Sequence, residues 1–188
     1  PKQTHFATDA IVLIANINAK DTLISIEEIT NFLKGSTSTK IKGLVFDNPN
    51  SSSVRYLNNL AGIKESDNKN IYSFKTNEEV IKYVSQNSGM IGVVGLNWIE
   101  QSNADLEKIA VLSGKNVKSN SYIYPSQNSL AEKTYPLARD LYIINCQGFE
   151  GLGMGFSSFM AGETGQRIVL KSGLAPAKAP SRNIRIVK

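Results

Sequence analysis

A turn of small polar residues offers the clearest binding chemistry in this sequence. Residues 45–57 read VFDNPNSSSVRYL, a predicted strand that leads into a predicted helix. The first backbone N–H groups of a helix are unpaired and favour an anion. The candidate donors are Asn50, Ser51, Ser52 and Ser53, and Arg55 one turn later adds a positive charge suited to a bidentate contact. The turn is therefore a candidate anion site.

The same turn has a second interpretation. A serine or asparagine that precedes a helix commonly accepts a hydrogen bond from a backbone N–H in the first turn, and so caps the helix. Either Asn50 or Ser51 is suited to this role. From the turn alone the cap is the simpler interpretation, because it requires no ligand.

The rest of the sequence offers few residues for catalysis. The chain has a single histidine, His5, and a single cysteine, Cys146. This excludes a disulfide, a zinc site of several cysteines and histidines, and any serine-histidine-aspartate triad without His5. Cys146 follows an apolar run and is predicted to be a small buried residue. We expect no enzyme, catalytic residue, metal or cofactor.

The elements around the turn alternate between strands and helices. Strands are predicted at 9–16, 43–46, 90–94 and 141–144, and a weaker signal indicates one at 109–112; the apolar runs at 9–16 and 141–144 are typical of buried strands. Ser25 with Glu28, and Thr76 with Glu79, form capping boxes that begin two helices. Further helices are predicted at 51–62, 151–161 and 164–172, the last with Ile168 and Val169 inward. This order predicts the α/β class, with strands buried on both faces.

Composition excludes several classes of protein. Of the 188 residues, 41% are hydrophobic and 20% are charged, as in globular domains. No apolar run approaches the roughly 20 residues that span a bilayer, so no membrane-spanning segment is expected. The net charge of +5 is scattered, apart from a basic tail at 182–188 that suits a solvated terminus. Nucleic-acid binding is therefore not expected.

The order of several segments resembles a known family. DAIVLIAN, ISIEEITNFLKG, a strand into NSSSVRYL, TNEEVIKYVSQNSGMIGVVGLNWI, YPLARDLYIIN and ETGQRIVLKSGLAPA occur in turn. Together they resemble the phosphate-binding substrate-binding proteins of ABC transporters. This resemblance implies a type II periplasmic-binding-protein-like fold, in which two α/β lobes joined by hinge strands close on an oxyanion. It also implies a protein that is not an enzyme.

The resemblance implies a division of the chain into two parts. Residues 11–112 are expected to form the second α/β lobe, nearly complete. Residues 1–10 and 113–188 are expected to form the hinge strands and the C-terminal part of the first lobe. Most of the N-terminal lobe is then expected to be missing, and the N-terminus at Pro1 to be a cut. Half of the cleft would be absent, so we expect the isolated chain to bind anions weakly.

The turn departs from the loop typical of this family, R-x-x-G-S-G-T. Ser51 and Ser53 match its serine and threonine, whereas Asn50 and Ser52 occupy the two glycine positions. Asp47 stands where the arginine is expected. A negative charge there repels a dianion at close range. The family order nevertheless favours a binding loop over a simple cap.

Two hypotheses follow from the resemblance. The first is an extracytoplasmic solute-binding protein that binds inorganic phosphate or a related oxyanion and delivers it to an ABC permease. It would lie in the periplasm or otherwise outside the cytoplasmic membrane, with a lipid anchor on the full-length protein as one option. The second is an interaction or sensory module that kept the fold and lost the small-ligand site.

Overall fold

One long strand, β1 (Lys2–Asn16), runs through the centre of the fold. The computed structural model describes residues 1–99, 105–147 and 151–180. The other strands are β2 (Leu23–Ile24), β3 (Gly43–Phe46), β4 (Ile71–Ser73), β5 (Met90–Gly95), β6 (Ile109–Val111), β7 (Ser113–Asn116), β8 (Ser121–Ile123), β9 (Ala138–Asn145) and β10 (Ala175–Pro176). The helices are α1 (Ile26–Leu33), α2 (Ser52–Ala61), α3 (Asn77–Gln86), α4 (Leu96–Ile99), α5 (Gln127–Ala131), α6 (Leu152–Ala161) and α7 (Glu163–Lys171), with a 3-10 turn at Leu106–Lys108.

Strand β1 changes partners along its length. Its first part, up to Ala10, pairs with β9 and β10, and its second part, from Ile11, pairs with β5 and β6, all antiparallel. Strands β5, β3 and β4 are parallel to one another and extend the sheet beyond β1. A separate small sheet has the order β2-β7-β8. Because β1 belongs to both halves of the large sheet, it links them directly.

Helices cover both faces of the part of the sheet around β3 and β5. An added Cβ on Gly92 of β5 would touch Ile14 of β1 together with Val80 and Val84 of α3. The neighbouring β1 side chain, Leu13, faces α1 and α2, since it lines a small cavity with residues of both helices. Successive strand residues point to opposite faces, so the sheet lies between α3 on one side and α1 with α2 on the other. This confirms the predicted α/β class.

Several details of the sequence prediction were wrong. The strand at 141–144 was expected to be buried, but Tyr142 and Ile144 are 50% and 58% exposed. Ile168 is half exposed instead of inward, and Cys146 is exposed instead of buried. Described residues cover these side chains only in part, so apolar character alone did not indicate burial. The second predicted capping box is incomplete, because the Glu79 carboxylate accepts from the N–H of Lys75.

The division into lobes at residue 112 stays a prediction. Contacts run across this position, because Ser113 and Gly114 of β7 pair with Leu23 and Ile24 of β2. Tyr135 also donates a hydrogen bond of 2.9 Å to the carbonyl of Ile11, and burial raises the pKa of its hydroxyl. The predicted second lobe therefore packs closely against the segment that follows it.

Two kinds of feature are absent from the described residues. None of the helices described is long and apolar enough to cross a bilayer. No group of three or more histidine, cysteine, aspartate or glutamate side chains suited to a metal ion occurs in the same ranges. The basic tail at 182–188 lies outside the described residues.

Candidate functional site

The candidate anion site lies at the edge of the sheet where β3 and β5 end. These strands are parallel, so their carboxyl ends meet at one edge. Because β1 is antiparallel to β5 and pairs Ile11 with Gly95, the middle of β1 reaches the same edge. Asp9 lies two residues before Ile11 on β1. Its Oδ2 lies 3.8 Å from the position that a Cβ on Gly95 would occupy. Helix α2 begins here, and five residues (47–51) connect it to β3.

The turn before α2 is organised by Asn48. Its carbonyl accepts from the N–H of Ser51 at 3.1 Å, and its side-chain oxygen accepts from the N–H of Asn50 at 2.8 Å. The Ser51 hydroxyl oxygen then accepts from the N–H of Val54 at 3.3 Å, which is a helix cap. The cap interpretation is thus correct for Ser51. The backbone N–H groups of Asn50 and Ser51 are already paired within the turn.

The next two residues leave their backbone donors open. The N–H groups of Ser52 and Ser53 make no hydrogen bond to any residue that the structure describes. Ser52 is exposed at the helix start, whereas Ser53 is buried. Two adjacent N–H groups at the positive end of a helix dipole are suited to an anion. Of the predicted donors, Ser52 and Ser53 therefore have the most favourable backbone geometry.

An arginine from a distant strand reaches both serine side chains. Nη1 of Arg139, on β9, donates to Oγ of Ser52 at 2.9 Å and to Oγ of Ser53 at 3.4 Å. Nε and Nη2 of the same side chain donate to Oδ2 of Asp9 at 3.0 and 2.7 Å. The guanidinium group therefore joins the start of α2 to β1.

The position of Arg139 follows from the pairing of the long strands. Arg139 lies directly opposite Asp9 in the β1–β9 register. Helix α2 also contacts β9 beside it, since the Tyr56 hydroxyl donates to the carbonyl of Ala138 at 3.3 Å. Burial raises the pKa of Tyr56, although the nearby Arg139 opposes this shift, so the hydroxyl keeps its proton at neutral pH. These contacts hold the arginine against the serine turn.

A family model for the PBP superfamily domain matches residues 1–164. The chain belongs to the PBP superfamily. A curated relative, the phosphate-binding protein PstS of Borreliella burgdorferi, is 29% identical to this PBP superfamily chain over 197 residues. That match covers 94% of this chain and 66% of the PstS protein. The chain thus spans slightly less than two thirds of that relative.

Solved structures share the fold of this PBP superfamily chain. An ABC-type phosphate transport receptor from Vibrio cholerae superimposes with a TM-score of 0.74 at 18% identity, over 93% of this chain and 72% of the receptor. A chain from Clostridium perfringens solved with bound phosphate gives 0.70 at 19% identity, over 94% and 72%. PstS from Borrelia burgdorferi gives 0.66 at 24% identity, over 95% and 73%. The type II periplasmic-binding-protein-like fold is therefore established.

Two predicted charges of the PBP superfamily chain lie away from the serines. Arg55 is exposed on α2, and its side chain makes no hydrogen bond or ion pair with any described residue, although its backbone N–H donates to the carbonyl of Ser51. Asp47 is half buried, and its Oδ2 accepts a 3.5 Å hydrogen bond from the side chain of Asn77, at the start of α3. Neither side chain hydrogen-bonds to Ser52 or Ser53. Arg55 remains a predicted charge donor without structural support for that role.

Sequence reasoning missed Arg139 and Asp9 as site residues in this PBP superfamily chain. They lie 130 residues apart, and only the β1–β9 register brings them together. A weak signal was available: Asp9 is the one charged residue within the apolar segment DAIVLIAN. A charged residue in a buried strand usually has a partner, but the sequence did not identify which one.

Removal of the Ser51 hydroxyl tests the cap in this PBP superfamily chain. We expect Ser51→Ala to lower the free energy of unfolding by about 1 kcal/mol, because the N–H of Val54 loses its partner. Urea denaturation followed by circular dichroism measures this. The control is Ser36→Ala, since Ser36 is exposed and its hydroxyl makes no hydrogen bond to a described residue. Equal stability of the two variants would contradict the cap.

Proposed function

We propose that this chain is part of an extracytoplasmic solute-binding protein that binds phosphate or a related oxyanion at the start of α2. The observation that supports this most is the hydrogen bonding of Ser52 and Ser53. Their N–H groups make no hydrogen bond to a described residue, and their hydroxyl oxygens accept from Arg139. A hydroxyl that accepts a hydrogen bond still has its own hydrogen to donate. Four donors on two adjacent residues are thereby available to an anion.

The energetics of such a site are adequate for a useful affinity. A hydrogen bond to a charged group contributes roughly 1.5–3 kcal/mol. Three or four of them approach the roughly 8 kcal/mol of micromolar binding, before the costs of association. The proposed ligand residues remain Asn50, Ser51, Ser52, Ser53 and Arg55, with Ser52 and Ser53 the best placed. The proposal includes no catalytic residue and no metal.

The known relatives support phosphate as the ligand. The PstS relative is a phosphate-binding protein, and the Clostridium perfringens chain was solved with phosphate. By analogy with the Vibrio cholerae phosphate transport receptor, we propose delivery to an ABC permease and a location outside the cytoplasmic membrane. The comparisons do not favour the alternative of an interaction or sensory module without a ligand site.

An open apolar surface supports the proposal that the first lobe is incomplete. Tyr142 and Ile144 of β9, with Leu152 and Phe156 of α6, are at least half exposed. A groove of about 500 Å³ runs between these two elements. In this proposal residues 11–112 form one lobe, and residues 1–10 and 113–188 belong to the hinge strands and the other lobe. The isolated chain then holds its anion from one side only and binds it weakly.

Calorimetric titration of the full-length protein tests the proposed function. We expect heat on addition of phosphate, with a dissociation constant of about micromolar order or tighter, and weaker binding to the isolated 188-residue chain. Sulfate serves as the comparison anion of similar shape. Circular dichroism confirms that the protein is folded in the same buffer. No heat with either anion from folded full-length protein would rule the function out.

A further inference from the structure

We propose that Arg139 supplies the positive charge of the anion site, and that Asp9 positions it there. This inference rests on the proposed function and adds two residues to the site. It also replaces the source of charge, because Arg139 donates to both serines whereas the Arg55 side chain hydrogen-bonds to neither. Arg139 lies on β9, so the charge comes from the strand pair β1–β9 and not from the loop that binds the anion.

The donors of Arg139 are only partly used within the described residues. Its guanidinium group makes four contacts, two to Oδ2 of Asp9 and one each to Oγ of Ser52 and Ser53. A guanidinium group has one more N–H donor than these contacts use. The side chain is 19% exposed, so part of the group is accessible. The unused donor therefore belongs to a guanidinium group that already donates to Ser52 and Ser53. The backbone N–H groups of these two serines have no partner among the described residues.

The Asp9 carboxylate points to a binding role for this pair. Its side chain is 7% exposed, and it holds Arg139 through Oδ2 alone. Its Oδ1 is buried without a hydrogen-bond partner among the described residues. Buried polar atoms in folded proteins are nearly always paired. A purely structural ion pair would be expected to satisfy both oxygens, whereas this one fixes the direction of the guanidinium group and leaves an atom unpaired.

The arrangement has a consequence for the bound state. An anion seated on the N–H groups of Ser52 and Ser53 lies beside the guanidinium group that donates to the same serines, and the remaining N–H donor of that group is on Nη2. The anion then links α2 to β9 and, through Asp9, to β1. Charge-assisted hydrogen bonds are shorter and stronger than neutral ones. We therefore expect anion affinity to depend strongly on Arg139 and to fall with rising salt.

Substitution of Arg139 in the full-length protein tests this inference. We expect Arg139→Gln to weaken phosphate binding by about tenfold or more in calorimetric titration, and to reduce the dependence of affinity on salt. Arg139→Lys keeps the charge but not the planar group, so we expect an intermediate affinity with the salt dependence retained. The matched control is Arg167→Gln, which breaks a surface ion pair with Glu163 on α7 and should leave affinity unchanged.

The possible results separate this inference from the proposed function. If the wild-type protein binds phosphate and Arg139→Gln binds within about twofold of it, the inference is wrong and the function stands. If the folded wild-type protein binds neither phosphate nor sulfate, both are wrong. Should Arg139→Gln fail to fold, the double variant Asp9→Leu with Arg139→Met replaces the ion pair by apolar groups. We expect this folded variant to lose the same affinity, and unchanged binding would again overturn the inference.

Discussion

Replacement of Phe46 by alanine is expected to lower the free energy of unfolding by about 3–5 kcal/mol. Phe46 is the last residue of β3 and is 1% exposed. The alanine variant loses the buried ring and leaves a cavity between the sheet and its helices. Urea denaturation of the 188-residue chain, followed by circular dichroism, measures the change. Phe46 lines a cavity with Pro49, Asn50 and Val54, so the loss also removes packing beside the turn that begins α2.

A second phenylalanine provides the matched control for this result. Phe156 on α6 is 52% exposed, and Phe156→Ala is expected to cost less than about 1 kcal/mol in the same chain. The comparison removes the same atoms from a buried and from a half-exposed position. A cost for Phe46→Ala no larger than that for Phe156→Ala would show that β3 does not lie in the core as described.

Replacement of Asp9 by alanine is expected to cost about 3 kcal/mol of unfolding free energy. Removal of one partner from a buried ion pair leaves the other charge without compensation, at a typical cost of about 3–5 kcal/mol. The lower end applies because Arg139 is 19% exposed and can turn partly toward water. Urea is the suitable denaturant, since guanidinium salts would screen the remaining charge. The variant is also expected to bind phosphate more weakly, because Arg139 loses its orientation.

The double variant Asp9→Leu with Arg139→Met separates two contributions to the free energy of unfolding: the cost of an unpaired buried charge and the net stabilisation by the ion pair. Apolar replacement of both members of a buried pair is often neutral or stabilising. We therefore expect the double variant to be more stable than Asp9→Ala, while its phosphate affinity stays low. If the double variant is as unstable as Asp9→Ala, the loss arises from packing around β1 and the electrostatic explanation fails.

The local parts of the fold could be predicted from the sequence because their signals are local. Ser25 and Glu28 form the complete capping box that the spacing predicts. Gly62 ends α2 with a positive φ of 71°, which glycine adopts easily. The strand at 43–46 has the bounds that its apolar run indicated. In each case the residues that decide the structure lie within a few positions of one another.

The candidate site could be predicted only in part, because it depends on pairing between distant segments. The serine turn was identified from its place between a strand and a helix. Arg139 was not identified, since its contact with Ser52 spans 87 residues and requires the register of β9 on β1. Exposure of Tyr142 and Ile144 was missed for a related reason: apolar character shows that a side chain favours burial, not that a partner is present.

The long strand β1 has a consequence for how the chain folds. Asp9 at its centre bonds to Arg139 across 130 residues, and the carbonyl of Phe6 accepts from Gln166 across 160. Contacts of such large sequence separation slow folding, because the entropy of closing a long loop is lost before the contacts form. During synthesis, the apolar half of β1 cannot pair until β5 has been made, and the polar half cannot pair until β9 has been made. We therefore expect refolding limited by β1, with its segment AIVLIA open to aggregation or chaperone binding until then.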